Sequence, residues 1–366
     1  MGEQQVTVWC LLGKKAGDNT QVLALAQESG LGFEKKRIAA RPWELLTHLG
    51  MGPTLAGIDL SRSSELQAPW PELVISAGRR NEPVARWIRQ QSGGRTRLVH
   101  IGRPWASLST WDLVVTTPQY FLPEQDNILH NSLPLHRLRD GDVLAAREQW
   151  AHRFQHLPRP WIAVLAGGDS GRFVMTPAKA KRLGELSNQL AAASGGAVLA
   201  TDSPRTPVPA GDALQVQLRL PHFCYRFGSG QDNPYRGLLA LADAFVVTGE
   251  SMSMLGEAAE TGRPLYIFDV GDGRARWWTL PHSYRYKPLS HRFAMCFGPR
   301  RMRRDVGKIQ DALVEAGRAC WLEPDTISAA VDALQARHTV SERRGSVAAD
   351  ELQRAAVAVR QLVIPH

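Results

Sequence analysis

"AFVVTGESMSMLGEAAETGRPLYIF", Ala244 to Phe268, sets two short apolar runs, Ala244–Val247 and Leu265–Phe268, around a polar glycine-flanked step and a helix-like segment. Runs of that length without polar alternation suit strands buried on both faces of a parallel sheet. The segment between them then reads as the helix of a βαβ unit. Gly249 permits a tight turn, and Ser251 or Ser253 stands where a helix cap belongs. In an open parallel sheet, ligands bind at the carboxyl ends of the strands, where helix N-termini point unpaired amides outward. Amides near this cap suit a diphosphate. Glu257 lies four residues beyond Ser253 on the same helix face and can accept hydrogen bonds from the hydroxyl pair of a ribose. The plainer reading makes Ser251 a simple cap and Glu257 a solvated helix residue, and spacing alone does not separate the two.

The same rhythm runs outward in both directions. "VTVWCLL" (Val6–Leu12) precedes a helical pattern from Asn19 to Ser29, and "ELVISA" (Glu72–Ala77) precedes "EPVARWIRQQ" (Glu82–Gln91), with Pro83 suited to a first helical turn. "RLVHI" and "DLVVTT" follow. Over Asp140–Pro160 the pattern changes to a polar helix with a proline-bounded linker, after which a second series opens with "WIAVLAGG" (Trp161–Gly168) and a helix over Pro177–Ser194. The expected fold is α/β: two Rossmann-like, doubly wound parallel-sheet domains facing each other across a cleft. The expected domains are residues 1–155 and 156–325, with helices over Ile327–Ala336 and Ser341–Leu362, within 326–366, packing back on them.

With 366 residues, 43% hydrophobic and 22% charged, the chain can bury two cores, and its formal charge of +9 favours anionic partners. Nucleotide phosphates and an anionic membrane surface fit that charge; no nucleic-acid-binding motif is present, so nucleic acid is not an expected partner. Cys10, Cys224, Cys296 and Cys320 lie far apart, which reads as a reduced chain without structural zinc. No signal-peptide pattern and no apolar run of roughly eighteen residues is visible, so the expected location is cytoplasmic, peripheral at the inner membrane face. The histidines show no metal-ligand spacing, and neither metal nor cofactor is expected.

Two further loops carry chemistry. In "AGGDSGRF" (Ala166–Phe173), Gly167 and Gly168 let the backbone approach a ligand, while Ser170 and Arg172 supply a hydroxyl and a cation suited to phosphate. The loop is neither G-x-G-x-x-G nor a Walker loop, which argues against a tightly held dinucleotide and against ATP hydrolysis. In "GKKAGDNTQ" (Gly13–Gln21), Asp18 is a candidate general base for an acceptor hydroxyl, and Lys14 and Lys15 are candidate contacts for an anionic acceptor. Asp18 or Asn19 capping the next helix is the competing reading. The aromatic and basic stretch "RARWWTLPHSYRYKPLSHRF" reads either as a membrane-facing or carbohydrate-facing loop, or as core aromatics.

Several blocks together resemble the mitochondrial fission "elongated mitochondria" family and its bacterial members. They are "GDNTQVLALA" (Gly17–Ala26), "LVISAGRRNEPVA" (Leu73–Ala85), "AVLAGGDSGRF" (Ala163–Phe173), "DSPRTP" (Asp202–Pro207) and "NPYRGLLALADAFVVTGESMSMLGEAAETGRPLYIF" (Asn233–Phe268). The resemblance implies a GT-B-like fold whose C-terminal domain carries a nucleotide-sugar donor. By position it makes Gly167, Gly168, Ser170, Arg172, Ser203, Arg205, Asn233, Ser251, Ser253 and Glu257 donor-side candidates. The N-terminal domain is then the expected acceptor side, with Lys14, Lys15, Asn19 and Arg79 as acceptor-side candidates and Asp18, from the loop reading above, as the candidate catalytic base. Gly102–Pro104 stands where relatives tend to carry a Gln-x-Pro step. The implied function is transfer of a sugar from a nucleotide-sugar to a cell-envelope acceptor, lipid-linked or saccharide. The alternatives are a non-catalytic membrane-associated adaptor that retains the fold, and a nucleotide-sugar epimerase.

Overall fold

The structure is a computed structural model and describes residues 6–41, 52–137, 140–170, 173–271, 304–337 and 347–364. It divides into two compact units. The N-terminal unit takes the described residues up to Arg137, Arg304 and Asp305, and the last helix; the C-terminal unit takes the rest.

The N-terminal unit is a parallel sheet of β1 (Val8–Leu12), β2 (Phe33–Arg37), β3 (Leu73–Ala77), β4 (Arg97–Ile101), β5 (Leu113–Thr116) and β6 (Ile128–His130), in the order β2-β1-β3-β4-β5-β6. Its helices include α1 (Ala16–Ser29) and α2 (Glu82–Gln91). β1, β3 and β5 are buried almost throughout, as apolar strands covered on both faces must be. β2, "FEKKR", escaped the sequence reading because it is an edge strand, where exposed charge guards an unpaired side. Strand succession reverses direction between β1 and β3.

The C-terminal unit starts with α3 (Asp140–Phe154). Its sheet comprises β7 (Trp161–Leu165), β8 (Ala197–Thr201), β9 (His222–Tyr225), β10 (Ala244–Thr248), β11 (Leu265–Phe268) and β12 (Cys320–Trp321), all parallel, in the order β12-β11-β10-β7-β8-β9. This is the Rossmann order, with its reversal between β7 and β10. The flanking helices are α4 (Pro177–Ser194), α5 (Val208–Gln217), α6 (Tyr235–Leu241), α7 (Met252–Glu260), α8 (Gly307–Glu315) and α9 (Ile327–Arg337). The ends of α4 show how locally the sequence can set an element. Thr176 Oγ1 accepts from the Lys179 amide, Pro177 opens the first turn, and Gly195 ends the helix at φ 71°.

The expected boundary after residue 155 is corrected by α3, which belongs to the C-terminal unit. Trp150 stacks on Phe154 at 5.9 Å, and Phe154 meets Phe223 of β9 edge-on at 5.0 Å. Gly237 of α6 lies against the Trp150 ring so closely that a Cβ there would stand 2.4 Å from it. The tail divides as well. α9 buries Ala330 and Leu334 in the C-terminal core, whereas α10 (Val347–Val363) buries Leu352, Ala355, Ala356 and Val359 in the N-terminal one.

Candidate functional site

The reversal between β7 and β10 brings the Gly167–Gly168 loop beside the Gly249–Ser251 turn. Here the space that the sequence reading reserved for a ligand beside the glycines is filled by the protein itself. The Gly167 amide donates to Thr248 Oγ1 at 2.8 Å and the Gly168 amide to Glu250 Oε1 at 2.6 Å. A Cβ at Gly167 would stand 1.9 Å from Glu250 Oε1; one at Gly168, whose φ is +151°, would stand 2.4 Å from the Arg205 backbone. Ser203 and Thr206 hydroxyls both donate to the Gly167 carbonyl, so Ser203 is a loop clamp here. Arg205 bonds Glu250 Oε1 and the Asp169 carbonyl, each at 3.3 Å. Ser170 pairs with Phe173 through both backbone bonds, and Arg172 lies outside the described residues.

Glu250 is 2% exposed, and its Oε2 is buried without a hydrogen-bond partner among the described residues. Burial pushes its carboxyl above the usual range, against the pull of Arg205 and the Gly168 amide. The sequence reading missed this residue, since a carboxylate in a glycine-flanked polar step looks solvated. Its one signal was position: it lies across the sheet's reversal from a Gly-Gly loop.

At the start of α7 the first-turn amides are not spent in the same way. Ser251 is the N-cap but makes no side-chain cap bond, and the first intrahelical bond runs from the Leu255 amide to the Ser251 carbonyl at 3.0 Å. The amides of Met252, Ser253 and Met254 have no acceptor among the described residues. Glu257, one turn further on, is not the solvated residue of the plainer reading. The Tyr235 hydroxyl donates to its Oε2, and burial raises its carboxyl while that bond and Arg236 pull the other way. Tyr235 itself keeps its proton: burial, then the Glu257 charge, pushes it well above its ordinary value. Asn233, on the surface, accepts the Tyr235 amide through Oδ1 at 3.0 Å. Two donor candidates far apart in sequence, Asn233 and Glu257, thus meet through a tyrosine that no pattern flagged.

In the N-terminal unit the reversal lies between the loops after β1 and β3. Helix α1 starts at Ala16, so neither Asp18 nor Asn19 caps it. Both amide groups of Asn19 are spent on Gly13: Oδ1 accepts its N–H and Nδ2 donates to its carbonyl, each at 2.9 Å. Asn19 therefore closes the loop. Asp18 Oδ2 lies 3.5 Å from Lys15 Nζ and leans over Gly78, where φ is +71° and a Cβ would stand 2.6 Å from it. Lys14 and Lys15 are exposed beside it. Burial raises the Tyr120 hydroxyl, and the Asp18 charge adds to that rise while Arg304 opposes it. Arg79 stands over the Trp105 ring at 5.2 Å, beside the Gly102–Pro104 departure. Fully buried Glu82, also missed by the sequence reading, holds that segment through the Trp105 and Ala106 amides at 2.6 and 2.7 Å. Beyond them Arg103, Trp105, Ser107, Leu122 and Asn127 line a cavity of about 780 Å³.

Among the described residues no three His, Cys, Asp or Glu side chains converge as metal ligands, and no helix is long and apolar enough to cross a membrane. The "RARWWTLPHSYRYKPLSHRF" stretch and Cys296 lie outside the described residues.

Two Rossmann-like units with parallel six-stranded sheets define a GT-B-like protein. The chain belongs to the Mitochondrial fission ELM1 family, whose pattern matches residues 16–361. It is 28% identical over 272 residues to the Mitochondrial fission protein ELM1 of Arabidopsis thaliana, a match spanning 67% of this chain and 62%, under two thirds, of that relative. An uncharacterized protein of Rickettsia prowazekii is 23% identical over 301 residues, 72% of this chain and 83% of the relative. In overall fold the chain is similar to Methanocaldococcus jannaschii UDP-GlcNAc 2-epimerase in complex with UDP-GlcNAc and UDP, with a TM-score of 0.52 at 11% identity, covering 98% of this chain and 99% of the other.

Proposed function

We propose that the protein is a glycosyltransferase that takes a sugar from a nucleotide-sugar and moves it to a cell-envelope acceptor. The observation that carries this reading is the start of α7, where three first-turn amides at the sheet's reversal have no acceptor among the described residues and the Glu257 carboxylate lies one turn beyond. Aligned peptide dipoles make that helix end positive, so it suits the diphosphate, while Glu257 Oε1, without a partner among the described residues, suits a ribose hydroxyl. During transfer, negative charge grows on the departing diphosphate, and fixed amides stabilise it without reorganising. Asp18 of the N-terminal unit removes the acceptor hydroxyl proton, and Lys14 and Lys15 attract an anionic acceptor. The epimerase whose fold this chain shares is in complex with UDP-GlcNAc, which supports a nucleotide-sugar as the ligand class.

A second reading, a non-catalytic adaptor, is favoured by one observation: the Gly167 and Gly168 amides are already taken by Thr248 and Glu250. Titration calorimetry against UDP-, GDP- and CMP-sugars separates the two. The transferase reading expects micromolar binding of at least one, weakened about tenfold or more by Glu257→Ala, because a bond to a charged group is lost. Asp18→Asn should keep that affinity and abolish transfer. No binding by any sugar nucleotide would favour the adaptor, and a product differing only at one sugar carbon would mark an epimerase.

A further inference from the structure

Tyr235 is the first residue of α6, where Asn233 Oδ1 accepts its amide at 3.0 Å and so fixes the backbone from which the ring projects. Its hydroxyl donates to Glu257 Oε2, tying the start of α6 to the second turn of α7. One carboxylate oxygen is therefore spent on the protein, and Oε1 has no partner among the described residues. A glutamate on a helix surface normally samples several rotamers, and ordering it opposes any bond it makes to a ligand. Here much of that ordering is done before a ligand arrives.

We propose that Tyr235 is a positioning residue: by holding Glu257 with a single presented oxygen, it makes the site select nucleoside diphosphates whose ribose carries both hydroxyls over their 2′-deoxy counterparts. The inference rests on the nucleotide reading above. A carboxylate oxygen has two acceptor sites and can take both members of a vicinal diol. A 2′-deoxyribose offers only one of those two bonds. A carboxylate free to turn must be ordered before it can make both, which offsets part of the diol's advantage, whereas one pinned from behind makes both without that cost. The pinning thus widens the preference, and removing the pin should narrow it along with part of the affinity.

The test uses the full chain and calorimetric titration with UDP, 2′-deoxy-UDP, GDP and 2′-deoxy-GDP. Wild type is expected to bind one ribonucleotide about tenfold more tightly than its deoxy form, the worth of one charge-assisted bond. Tyr235→Phe keeps the ring and removes only the hydroxyl; its ratio of the two affinities should fall towards one, with the ribonucleotide losing most. Glu257→Gln, in which the amide oxygen still accepts from Tyr235, should retain part of the ratio and serves as the check if Tyr235→Phe folds poorly. An unchanged ratio in Tyr235→Phe would show that the tyrosine only packs, and equal binding of ribo and deoxy forms by wild type would remove the selectivity; either overturns the proposal and leaves the nucleotide reading standing. Binding of none of the four by wild type overturns both.

Discussion

Gly167 and Gly168 look alike in sequence but are constrained by different neighbours, so alanine should act differently at each. At Gly167 the obstacle is the Glu250 side chain, and at Gly168 it is the backbone of Arg205 with a φ of +151°. Overpacking costs typically about 1–3 kcal/mol. Gly167→Ala should fall in that range and be partly relieved by Glu250→Ala, whereas Gly168→Ala should cost at least as much and gain nothing from that second change. Denaturation midpoints of the two double mutants check this through their departure from additivity. A second residue-scale prediction concerns pH. His100 is wholly buried in β4, with Nδ1 3.1 Å from Ser76 Oγ and its ring against Trp111; burial pushes it down from 6.5 to about 3. The unfolded chain takes up a proton below 6.5 that the folded one refuses, so the stability due to neutral His100 is complete above 6.5. It is lost on acidification towards 3, at about 1.4 kcal/mol per pH unit. Glu82, Glu250 and Glu257, all raised by burial, act in the opposite sense, since the folded state there holds protons that the unfolded state releases. His100→Asn should therefore narrow the drop in melting temperature between pH 7.5 and 5.5 even if it lowers both values; an undiminished drop would place the acid sensitivity elsewhere.

Among the elements, those buried on both faces were legible from sequence, and those whose role depends on a distant partner were not. β7, β10 and β11 read directly as unbroken apolar runs, and α2 and α4 were delimited by proline at their starts and, for α4, glycine at its end. β2 and β12 gave no such signal, being a charged edge and a strand of two residues. α3 was seen as a helix but given to the wrong unit, because a helix's own pattern says which face is apolar and not what covers it. The site divided in the same way. Ser251, Ser253 and Glu257 could be found by placing a cap after a strand. Glu250, Tyr235 and Glu82 could not, since their importance comes from atoms brought from elsewhere in the chain. Trp150 tests the reassignment of α3. Its truncation to Ala removes an aromatic stacked on Phe154 and seated on Gly237, at an expected cost of about 3–5 kcal/mol. Hydrogen exchange should show the loss in α6 and β9 of the C-terminal unit, and loss of protection confined to β1 or β3 would restore the boundary expected from sequence.

At the scale of the whole molecule, each unit is completed by chain that comes late in the sequence, and the last helix makes this testable. α10 closes the N-terminal core: Leu352, Ala355, Ala356 and Val359 join Val22 and Leu25 of α1 and Leu73 and Val99 of the sheet. Glu351 accepts the Ser132 amide at 2.7 Å, Arg354 donates to the His130 carbonyl at 2.6 Å, and Arg360 reaches the carbonyls that end α1. The C-terminal unit has its own core, closed by α9, whose Ala330 carbonyl accepts from the Tyr266 hydroxyl at 2.8 Å. A chain ended after Arg337 should therefore uncover the β4–β5 part of one face of the N-terminal sheet, which α10 packs on together with α1, and leave the C-terminal sheet covered. Amides of β4 and β5 are expected to exchange faster by orders of magnitude, and those of β7 and β10 to keep their protection, because local opening follows the contacts each region retains. Nucleotide affinity, which the proposed reading assigns to residues of the C-terminal unit alone, should survive the truncation while any transfer to an acceptor is lost. Equal loss of protection in both sheets would mean that the units do not keep separate cores.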